Sequence, residues 1–212
     1  MTALLTRRTV RAGMAAAAAL AAIAVTSGPA SAAELDITYD ASGSTDVATT
    51  GSTIALGPTT LATSLDSTTG AFTGTMELPA AHTDFDAAGF IPMSADVTFE
   101  EVGQVSGSLS ADPAGGGSDV SATAEYDIRL SDIKVVGFPT FTGSRCRTKE
   151  PVTITIANPP DQPFAVFSGG RLTGSYSIGD FANCGLNTWL VNALVPGGGN
   201  TIALDLSNPR TS

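Results

Sequence analysis

Strict alternation of apolar and polar residues is the feature of this sequence that most constrains its fold. From residue 119 to 130, Val120, Ala122, Ala124, Tyr126, Ile128 and Leu130 alternate with Asp119, Ser121, Thr123, Glu125, Asp127 and Arg129. Successive side chains of a strand point to opposite faces of a sheet, so this segment predicts a strand with one buried and one solvated face. One-sided burial is typical of antiparallel sheets.

The same period of two recurs along the chain with turn signals between the repeats. The further alternating sets are Leu35-Ile37-Tyr39, Phe72-Met76-Leu78, Val105-Leu109, Val152-Ile154-Ile156, Leu172-Tyr176-Ile178 and Ile202-Leu204-Leu206. Turns are indicated at residues 67–70, which are Ser, Thr, Thr and Gly, and at 112–117 and 158–161, which are rich in Gly, Pro, Asn and Asp. We therefore predict an all-β fold, an antiparallel β-sandwich or barrel of about 8–10 strands.

Helical periodicity occurs in one segment, near the carboxyl end. Apolar residues recur there at spacings of three and four, namely Leu186, Trp189, Leu190, Ala193 and Leu194. The pattern predicts one short helix from Cys184 to Leu194, begun by Asn183 as its cap and ended by Gly197. Because its neighbours on that face are aliphatic, Trp189 is expected to pack against the core.

Two segments one hundred residues apart share a pattern. Residues 70–78 (GAFTGTMEL) and 170–178 (GRLTGSYSI) each place a turn glycine before a strand containing Thr-Gly-Thr or Thr-Gly-Ser. A pseudo-repeat spanning 52–110 and 151–207, hence two related halves, is one interpretation, and coincidence in a chain rich in Ser, Thr and Gly is the other. Gly74 and Gly174, inside these strands, predict bulges or close backbone approaches.

The first 32 residues carry the three parts of an export signal. A cationic start with Arg7, Arg8 and Arg11 precedes an apolar stretch at residues 14–25, and Ala30-Ser31-Ala32 offers small side chains to a signal peptidase. The apolar stretch is shorter than the ~20 residues that a bilayer span needs. We predict a signal peptide at 1–32, with the Sec and twin-arginine routes both open, followed by one secreted β-rich domain at 33–212 without a transmembrane anchor.

Cys146 and Cys184 are the two cysteines of the chain, and both follow the export signal. Outside the cytoplasm such a pair is most simply a structural disulfide. Redox or metal chemistry is the alternative, but the chain has no C-x-x-C motif and one histidine.

The charge distribution bears on partners. Beyond residue 32, seven basic and twenty acidic residues leave a net charge of −13, and residues 33–128 contain fifteen acids without a Lys or Arg. Nucleic acid is not an expected partner, because phosphates need a dense basic surface. An acidic surface suits a cationic envelope polymer or metal ions, and it also keeps an exported protein in solution.

Candidate chemistry is sparse. Residues 81–86 are predicted to form a loop, and His82 within it could act as a base for a Ser, Thr or Cys nucleophile, with Asp84 or Asp86 orienting its ring. Glu100, Glu101, Glu125 and Asp127 offer paired carboxylates. Calcium could be held by Asp84 and Asp86 beside Glu77, or by Asp36 and Asp40, although no twelve-residue calcium loop is present. We assign no catalytic residue, no metal ligand and no cofactor.

Three stretches, 70–74 (GAFTG), 89–92 (GFIP) and 194–201 (LVPGGGNT), together with one cysteine beside each repeat, resemble uncharacterised secreted proteins of actinomycetes, whose function is not established. The resemblance implies export and a β-rich fold, and it brings no catalytic residues.

These observations lead to three functional hypotheses. The first is a secreted, non-enzymatic binding or interaction module of the cell envelope or the extracellular space, with an unknown ligand or partner. The second is an extracellular carrier of a lipid or another apolar small molecule, since a barrel can enclose a cavity. The third is a hydrolase that uses His82. The apolar loops at 87–93 and 136–139 are candidates for a pocket lip, a partner surface or a cover over the core.

Overall fold

The computed structural model describes residues 34–87, 89–111 and 116–211. These ranges form strands and one short helical segment, so the all-β prediction is confirmed. The strands are β1 (Glu34–Val47), β2 (Ser52–Asp66), β3 (Ala71–Thr75), β4 (Ala81–Ala87), β5 (Ile91–Glu101), β6 (Val105–Ala111), β7 (Ser118–Val135), β8 (Phe138–Pro139), β9 (Arg147–Thr148), β10 (Val152–Ala157), β11 (Gly170–Ile178), β12 (Phe181–Ala182) and β13 (Gly197–Thr211). The predicted signal peptide at 1–32 and the start of the predicted turn at 112–117 lie outside the described residues.

Backbone pairing joins eight strands into a closed antiparallel ring. The order around the ring is β1, β2, β3, β6, β7, β10, β11 and β13, and β13 pairs with β1 again. The ring closes between β10 and β7, where residues 152–157 pair with 121–126. Of the two architectures predicted, sandwich or barrel, this register makes the protein an up-and-down barrel.

The remaining strands extend the same ring at one end. β7 is long enough to pair with β6 through its first half and with β5 through its second half. β4 continues β3 and pairs with β5, while β12 continues β11 and pairs with β9. Thirteen segments therefore occupy eight positions around the barrel, in agreement with the predicted number of 8–10 strands.

The extension leaves a seam between β2 and β4. Within the described residues, β4 pairs with β5 alone, and β2 pairs with β3 only over residues 62–65. The first half of β2 thus faces the free edge of β4 without a backbone ladder. Outward-facing charged side chains protect such an edge from pairing with another chain, and His82, Asp84 and Asp86 occupy the outward positions of β4.

Inward-facing apolar side chains fill the barrel. The inward series of β7 is buried at Val120, Ala122, Tyr126, Ile128 and Leu130 and half-buried at Ala124, and the alternation then shifts by one position. Asp132 has a positive φ of 46°, and the pairing of β5 with β7 shifts register there. This bulge places Ile133 inside the barrel and leaves Asp132 in solvent.

The mid-strand glycines lie at close backbone approaches, as predicted. A Cβ at Gly74 would stand 2.7 Å from the Ala62 carbonyl oxygen, and one at Gly174 would overlap the Thr155 carbonyl oxygen. β3 and β11, which carry these glycines, lie four positions apart in the ring of eight, where a twofold repeat would place them. The common origin of the two halves stays a prediction.

The helical segment differs in detail from the prediction. It is a 3-10 turn at Gly185–Asn187 followed by α1 at Thr188–Leu194, and Asn183 does not cap it. The expectation that Trp189 packs against the core is wrong, because this side chain is 72% exposed. The inner face is formed by Leu190, Val191 and Leu194, while Leu186, Trp189 and Ala193 face solvent. Apolar residues on both faces made the orientation ambiguous in the sequence.

Candidate functional site

The described residues of the barrel enclose an apolar cavity towards each end. We call the end that carries α1 and the turns at 48–51, 89–90 and 136–137 the helix end, and the end with the turns at 67–70 and 158–169 the loop end. The centre of a water-sized sphere can occupy about 70 Å³ within the loop-end chamber and about 50 Å³ within the helix-end chamber. No Asp, Glu, Lys, Arg or His is among the described residues that line either chamber.

The polar side chains of the loop-end chamber are all engaged within the protein. Tyr39 donates its hydroxyl proton to the Val166 carbonyl oxygen at 2.8 Å, and Tyr126 donates to that of Met76 at 2.9 Å. Thr63 donates to the Ile37 carbonyl oxygen at 2.9 Å. Burial raises the pKa of Tyr39 to about 12 and also raises that of Tyr126. This chamber therefore presents a hydrocarbon wall without a free donor or acceptor side chain among the described residues.

The helix-end chamber is walled by the barrel and by α1. Leu190, Val191 and Leu194 of the helix line it together with strand residues such as Phe85 and Met93. Within the described part of the chain, side-chain hydrogen bonds join the helix to the barrel at two places: Asn192 bonds the backbone of Phe181 through both its amide atoms, and Thr49 donates to the Val195 carbonyl oxygen at 2.7 Å. One wall of this chamber is thus a short element that is joined to the barrel by few hydrogen bonds.

Among the described residues, six polar side chains line the helix-end chamber, and one of the six has no hydrogen-bond partner there. Five are hydrogen-bonded within the protein: Thr50 and Ser52 (to each other), Thr140 (to the Ile133 carbonyl), Tyr176 (to Thr45) and Asn187 (to Thr142). The sixth is Thr83, which is 7% exposed and whose Oγ1 has no partner among the described residues. A buried hydroxyl without a partner is rare enough in proteins to need an explanation.

Sequence reasoning missed Thr83 because residues 81–86 were predicted to be a loop. That prediction is wrong, since they form most of β4. The signal was present: Ala81, Thr83, Phe85 and Ala87 alternate with His82, Asp84 and Asp86. Thr83 belongs to the inward series and the histidine to the outward series.

His82 lies on the outside of the barrel, away from both chambers. Its Nδ1 is 2.6 Å from Asp96 Oδ1, and its Nε2 is 3.6 Å from Asp84 Oδ1. The hydrogen bond to Asp96 is the main cause that raises the pKa of His82, with a smaller contribution from the charge of Asp84. Asp96, across the hairpin, is thus the main partner of the ring, where sequence reasoning had named Asp84 or Asp86. A raised pKa increases the protonated fraction of the ring at a given pH.

Of the four candidate carboxylates, Glu100, Glu125 and Asp127 point outward, whereas the Glu101 carboxylate is partly buried and accepts hydrogen bonds from the Met76 amide at 3.3 Å. Glu100 pairs with Arg129 at 3.1 Å and Asp127 with Arg147 at 3.4 Å, so two of the four proposed acids are held in ion pairs. Arg210 and Asn208 bond Asp40, and these bonds lower its pKa. Within the described ranges, no three His, Cys, Asp or Glu side chains form a group that could hold a metal ion.

Large apolar side chains are exposed around the helix end. We call Phe90, Phe138, Phe141, Leu186 and Trp189 the apolar rim; each is at least 72% exposed. Three contacts connect the segments that carry them: the Val136 amide donates to the Pro92 carbonyl oxygen, Thr142 accepts from Asn187, and a Cβ at Gly185 would stand 2.7 Å from the Phe141 carbonyl oxygen. The described parts of the two apolar segments noted in the sequence, 89–93 and 136–139, are turns that lead into strands, and they lie at the same end of the barrel as the helical segment.

The predicted disulfide is present and lies beside the rim. Cys146 and Cys184 are bonded and fully buried. Cys184 immediately precedes the helical segment, and Cys146 ends the loop that carries Phe141. The bond therefore fixes both rim elements to the barrel wall.

Comparison of the chain with protein-family models, with curated proteins and with solved structures finds no match. Among the described residues there is no helix with the length and apolar character needed to cross a membrane.

Proposed function

We propose that the protein is an exported, non-enzymatic binding protein that holds an apolar small molecule inside its barrel. The observation that carries this proposal is the pair of hydrocarbon-lined chambers within a closed barrel. Ligand sites are typically apolar cavities with a few polar groups, and they occur in the mouths of β-barrels. Export is supported by the signal-like start of the sequence and by the disulfide.

Binding rather than catalysis is favoured by where the reactive groups lie. None of the described acids lines either chamber, nor does His82, and the partly buried Glu101 carboxylate is engaged by the Met76 amide. The tyrosines inside have raised pKa values that keep them neutral. A general acid or base must reach the reacting atom, and these side chains would not reach a molecule inside the barrel. The resemblance to secreted actinomycete proteins agrees with an extracellular role.

Native mass spectrometry of protein purified from the producing organism tests the proposal. We expect an added mass that organic extraction removes, and lipid analysis should identify it as an apolar compound. The apo mass alone, after gentle purification and after incubation with an extract of the organism's lipids, would overturn the proposal.

Two cavity-filling variants test which of the two chambers holds the bound molecule. Ala95 lines the helix-end chamber and Ala124 the loop-end chamber. Ala95→Leu and Ala124→Leu each add the same volume, so each serves as the control for the other. We expect one variant to lose the bound mass while both keep the circular dichroism spectrum of the wild type. Equal retention by both folded variants would place the ligand outside the barrel.

A second candidate function, interaction at the surface of a lipid bilayer, is favoured by the apolar rim. Aromatic side chains with an apolar body suit the interface between water and hydrocarbon. The rim surrounds α1, which also lines the helix-end chamber, so a lipid surface at this end would be next to the ligand site. The loop that carries Phe141 also carries Arg145, whose guanidinium has no ion-pair partner within the described residues and can face lipid phosphates.

Flotation with vesicles of phosphatidylethanolamine and phosphatidylglycerol tests this candidate. We expect the wild type to float with the vesicles and Phe141→Ser and Trp189→Ser to remain in solution. Phe167→Ser is the matched control, because Phe167 is equally exposed at the loop end. Absence of flotation would exclude this candidate, and self-association that the rim variants abolish would assign the rim to a second copy of the chain.

A further inference from the structure

We infer that Thr83 is the hydrogen-bonding anchor of the helix-end chamber, which takes an apolar molecule carrying one neutral oxygen group, an alcohol or a carbonyl. This inference rests on the proposed function and deepens it, because it names the chamber and the chemical class of the ligand.

The first step of the argument is the cost of an unpaired hydroxyl. Thr83 Oγ1 is buried in the wall of the chamber without a partner among the described residues. An unsatisfied buried polar group destabilises a fold, and valine, which has the same shape, would fill the position without that cost. A hydroxyl at this point is accounted for if it bonds a group that enters the chamber.

The second step is the contrast with the other polar side chains. The other hydroxyl and amide groups at the two chambers, among the described residues, already bond protein atoms. One free polar group in an apolar cavity orients a ligand with one polar end. Because a hydroxyl both donates and accepts, Thr83 suits an alcohol or a carbonyl oxygen equally.

The third step concerns charge. The described lining of the helix-end chamber contains no Lys, Arg or His that could pair with an anion. A carboxylate would therefore lose its hydration without gaining an opposite charge, which is unfavourable in an apolar cavity. The polar end of the ligand is accordingly neutral.

The fourth step is access. Thr83 lies on β4, whose edge towards β2 carries no backbone ladder in the described residues. Ser52 and Ile54 of β2 and Thr83 and Phe85 of β4 all line the chamber. Separation of β2 from β4 breaks no ladder hydrogen bonds, so this seam is the route by which a ligand reaches Thr83.

Four small probes of the same ring size test the inference: cyclohexanol, cyclohexanone, cyclohexane and cyclohexanecarboxylate at neutral pH. Methyl NMR titration of the full exported domain measures each affinity through the signals of Met93 and Ile133, which line the chamber. We expect the alcohol and the ketone to bind more tightly than the hydrocarbon, and the carboxylate to bind least.

The variants Thr83→Val and Thr83→Ser distinguish the contribution of the hydroxyl group from that of the apolar cavity. The valine variant should bind cyclohexanol roughly two- to tenfold more weakly, the range expected for one neutral hydrogen bond, and should bind cyclohexane as the wild type does. The serine variant should recover the affinity for the alcohol. Without ligand, Thr83→Val should melt at a temperature equal to or above that of the wild type, because it removes an unpaired hydroxyl.

Failure of the inference and failure of the proposed function give different results. If all probes bind and Thr83→Val changes none of the affinities, the chamber is a ligand site and Thr83 is not its anchor. If no probe shifts the methyl signals and no bound mass is found in the native protein, the hydroxyl is hydrated by water and both proposals fall.

Discussion

Three tyrosines supply side-chain hydrogen bonds at places where the strands are interrupted or joined. The Tyr126 hydroxyl bonds the Met76 carbonyl oxygen in the break between β3 and β4, and the Tyr39 hydroxyl bonds Val166 in the loop after β10. Tyr176 bonds Thr45 at 2.7 Å, joining β11 to β1 on either side of β13. Each ring adds to the apolar core while its hydroxyl is satisfied, which is how tyrosine is accommodated inside proteins.

The tyrosines should not ionise near pH 10 while the protein is folded. The chain contains three tyrosines, and burial raises the pKa of each, that of Tyr39 to about 12. A folded-state pKa above the unfolded value stabilises the fold at low pH, and this contribution is lost as pH rises from 10 to about 12. For Tyr39 alone it amounts to about 2–3 kcal/mol.

Absorbance of tyrosinate measured against pH, together with circular dichroism, tests this expectation. Ionisation and unfolding should occur in one cooperative step above pH 10, and in denaturant the tyrosines should titrate at their ordinary pKa. In Tyr39→Phe, the free energy of unfolding should decrease less between pH 10 and pH 12 than it does in the wild type, because this tyrosine no longer ionises on unfolding. A tyrosine that titrates near pH 10 before unfolding would show that it is solvated in the native state.

The fluorescence of Trp189 should report whether the apolar rim is exposed to solvent. It is the one tryptophan of the chain, and its side chain is 72% exposed. We expect native emission as red as that of an indole in water, with ready quenching by acrylamide, and a blue shift when lipid vesicles cover the rim. Blue native emission in dilute protein would mean that Trp189 is buried, as its helical pattern had first suggested, or covered by a second copy.

At the scale of the elements, glycine decides how closely neighbouring strands approach. Gly43 in β1, Gly74 in β3 and Gly174 in β11 each lie against a carbonyl oxygen of the adjacent strand, at a distance that excludes a Cβ. Closing eight strands into a narrow barrel requires them to bend and coil, and glycine permits this where backbones come close. A larger residue at these positions would collide with the adjacent strand, which explains why strands with clear apolar alternation contain a glycine near their middle.

Substitution at Gly174 should destabilise the barrel much more than substitution at a nearby open glycine. In Gly174→Ala the new methyl group would overlap the Thr155 carbonyl oxygen, whereas a Cβ at Gly179 would meet no atom within 4 Å. We expect Gly174→Ala to lower the free energy of unfolding by about 1–3 kcal/mol, typical of overpacking. Gly179→Ala should leave it nearly unchanged.

Urea denaturation of the two glycine variants provides the measurement. Equal midpoints for Gly174→Ala and Gly179→Ala would contradict the close approach of β11 to β10. An altered slope in the Gly174 variant alone would show that the barrel has opened at this position.

At the scale of the whole molecule, a closed ring and one disulfide share the stabilisation. Closure between β7 and β10 removes the sheet edges around the barrel, and the described seam between β2 and β4 is confined to the helix end. The disulfide joins residues 38 positions apart at that same end. It therefore holds the rim loop and the start of the helical segment where the ladder is least complete.

Reduction of Cys146–Cys184 should lower the stability clearly. Cross-linking a loop of 38 residues stabilises a fold by roughly 3–4 kcal/mol in the chain-entropy model. We expect a lower melting temperature on reduction and in the double serine variant, and weaker ligand retention because α1 lines the helix-end chamber. Alkylation of both thiols in the native, unreduced protein would show that the bridge is not formed in solution.

Much of the fold could be read from the pattern of residues. Val120 to Leu130 indicated a half-buried strand, and the cysteine pair indicated a disulfide, because periodicity and covalent chemistry are local properties. Strand β4 was not predicted, because its outward residues His82, Asp84 and Asp86 are polar in the way that loop residues usually are. Leu186, Trp189 and Leu190 indicated a helix without saying which face is inward, because apolar residues occupy both faces.

The sequence by itself determined an all-β chain with antiparallel strands, a short helix and a disulfide, because each of these follows from residues near one another or from the two cysteines alone. Only the tertiary structure decided that the ring closes between β7 and β10, that Thr83 is unpaired inside a chamber and that Trp189 is exposed. Those facts depend on which distant segments meet, and alternation along a strand specifies a buried face without naming the strand that will cover it.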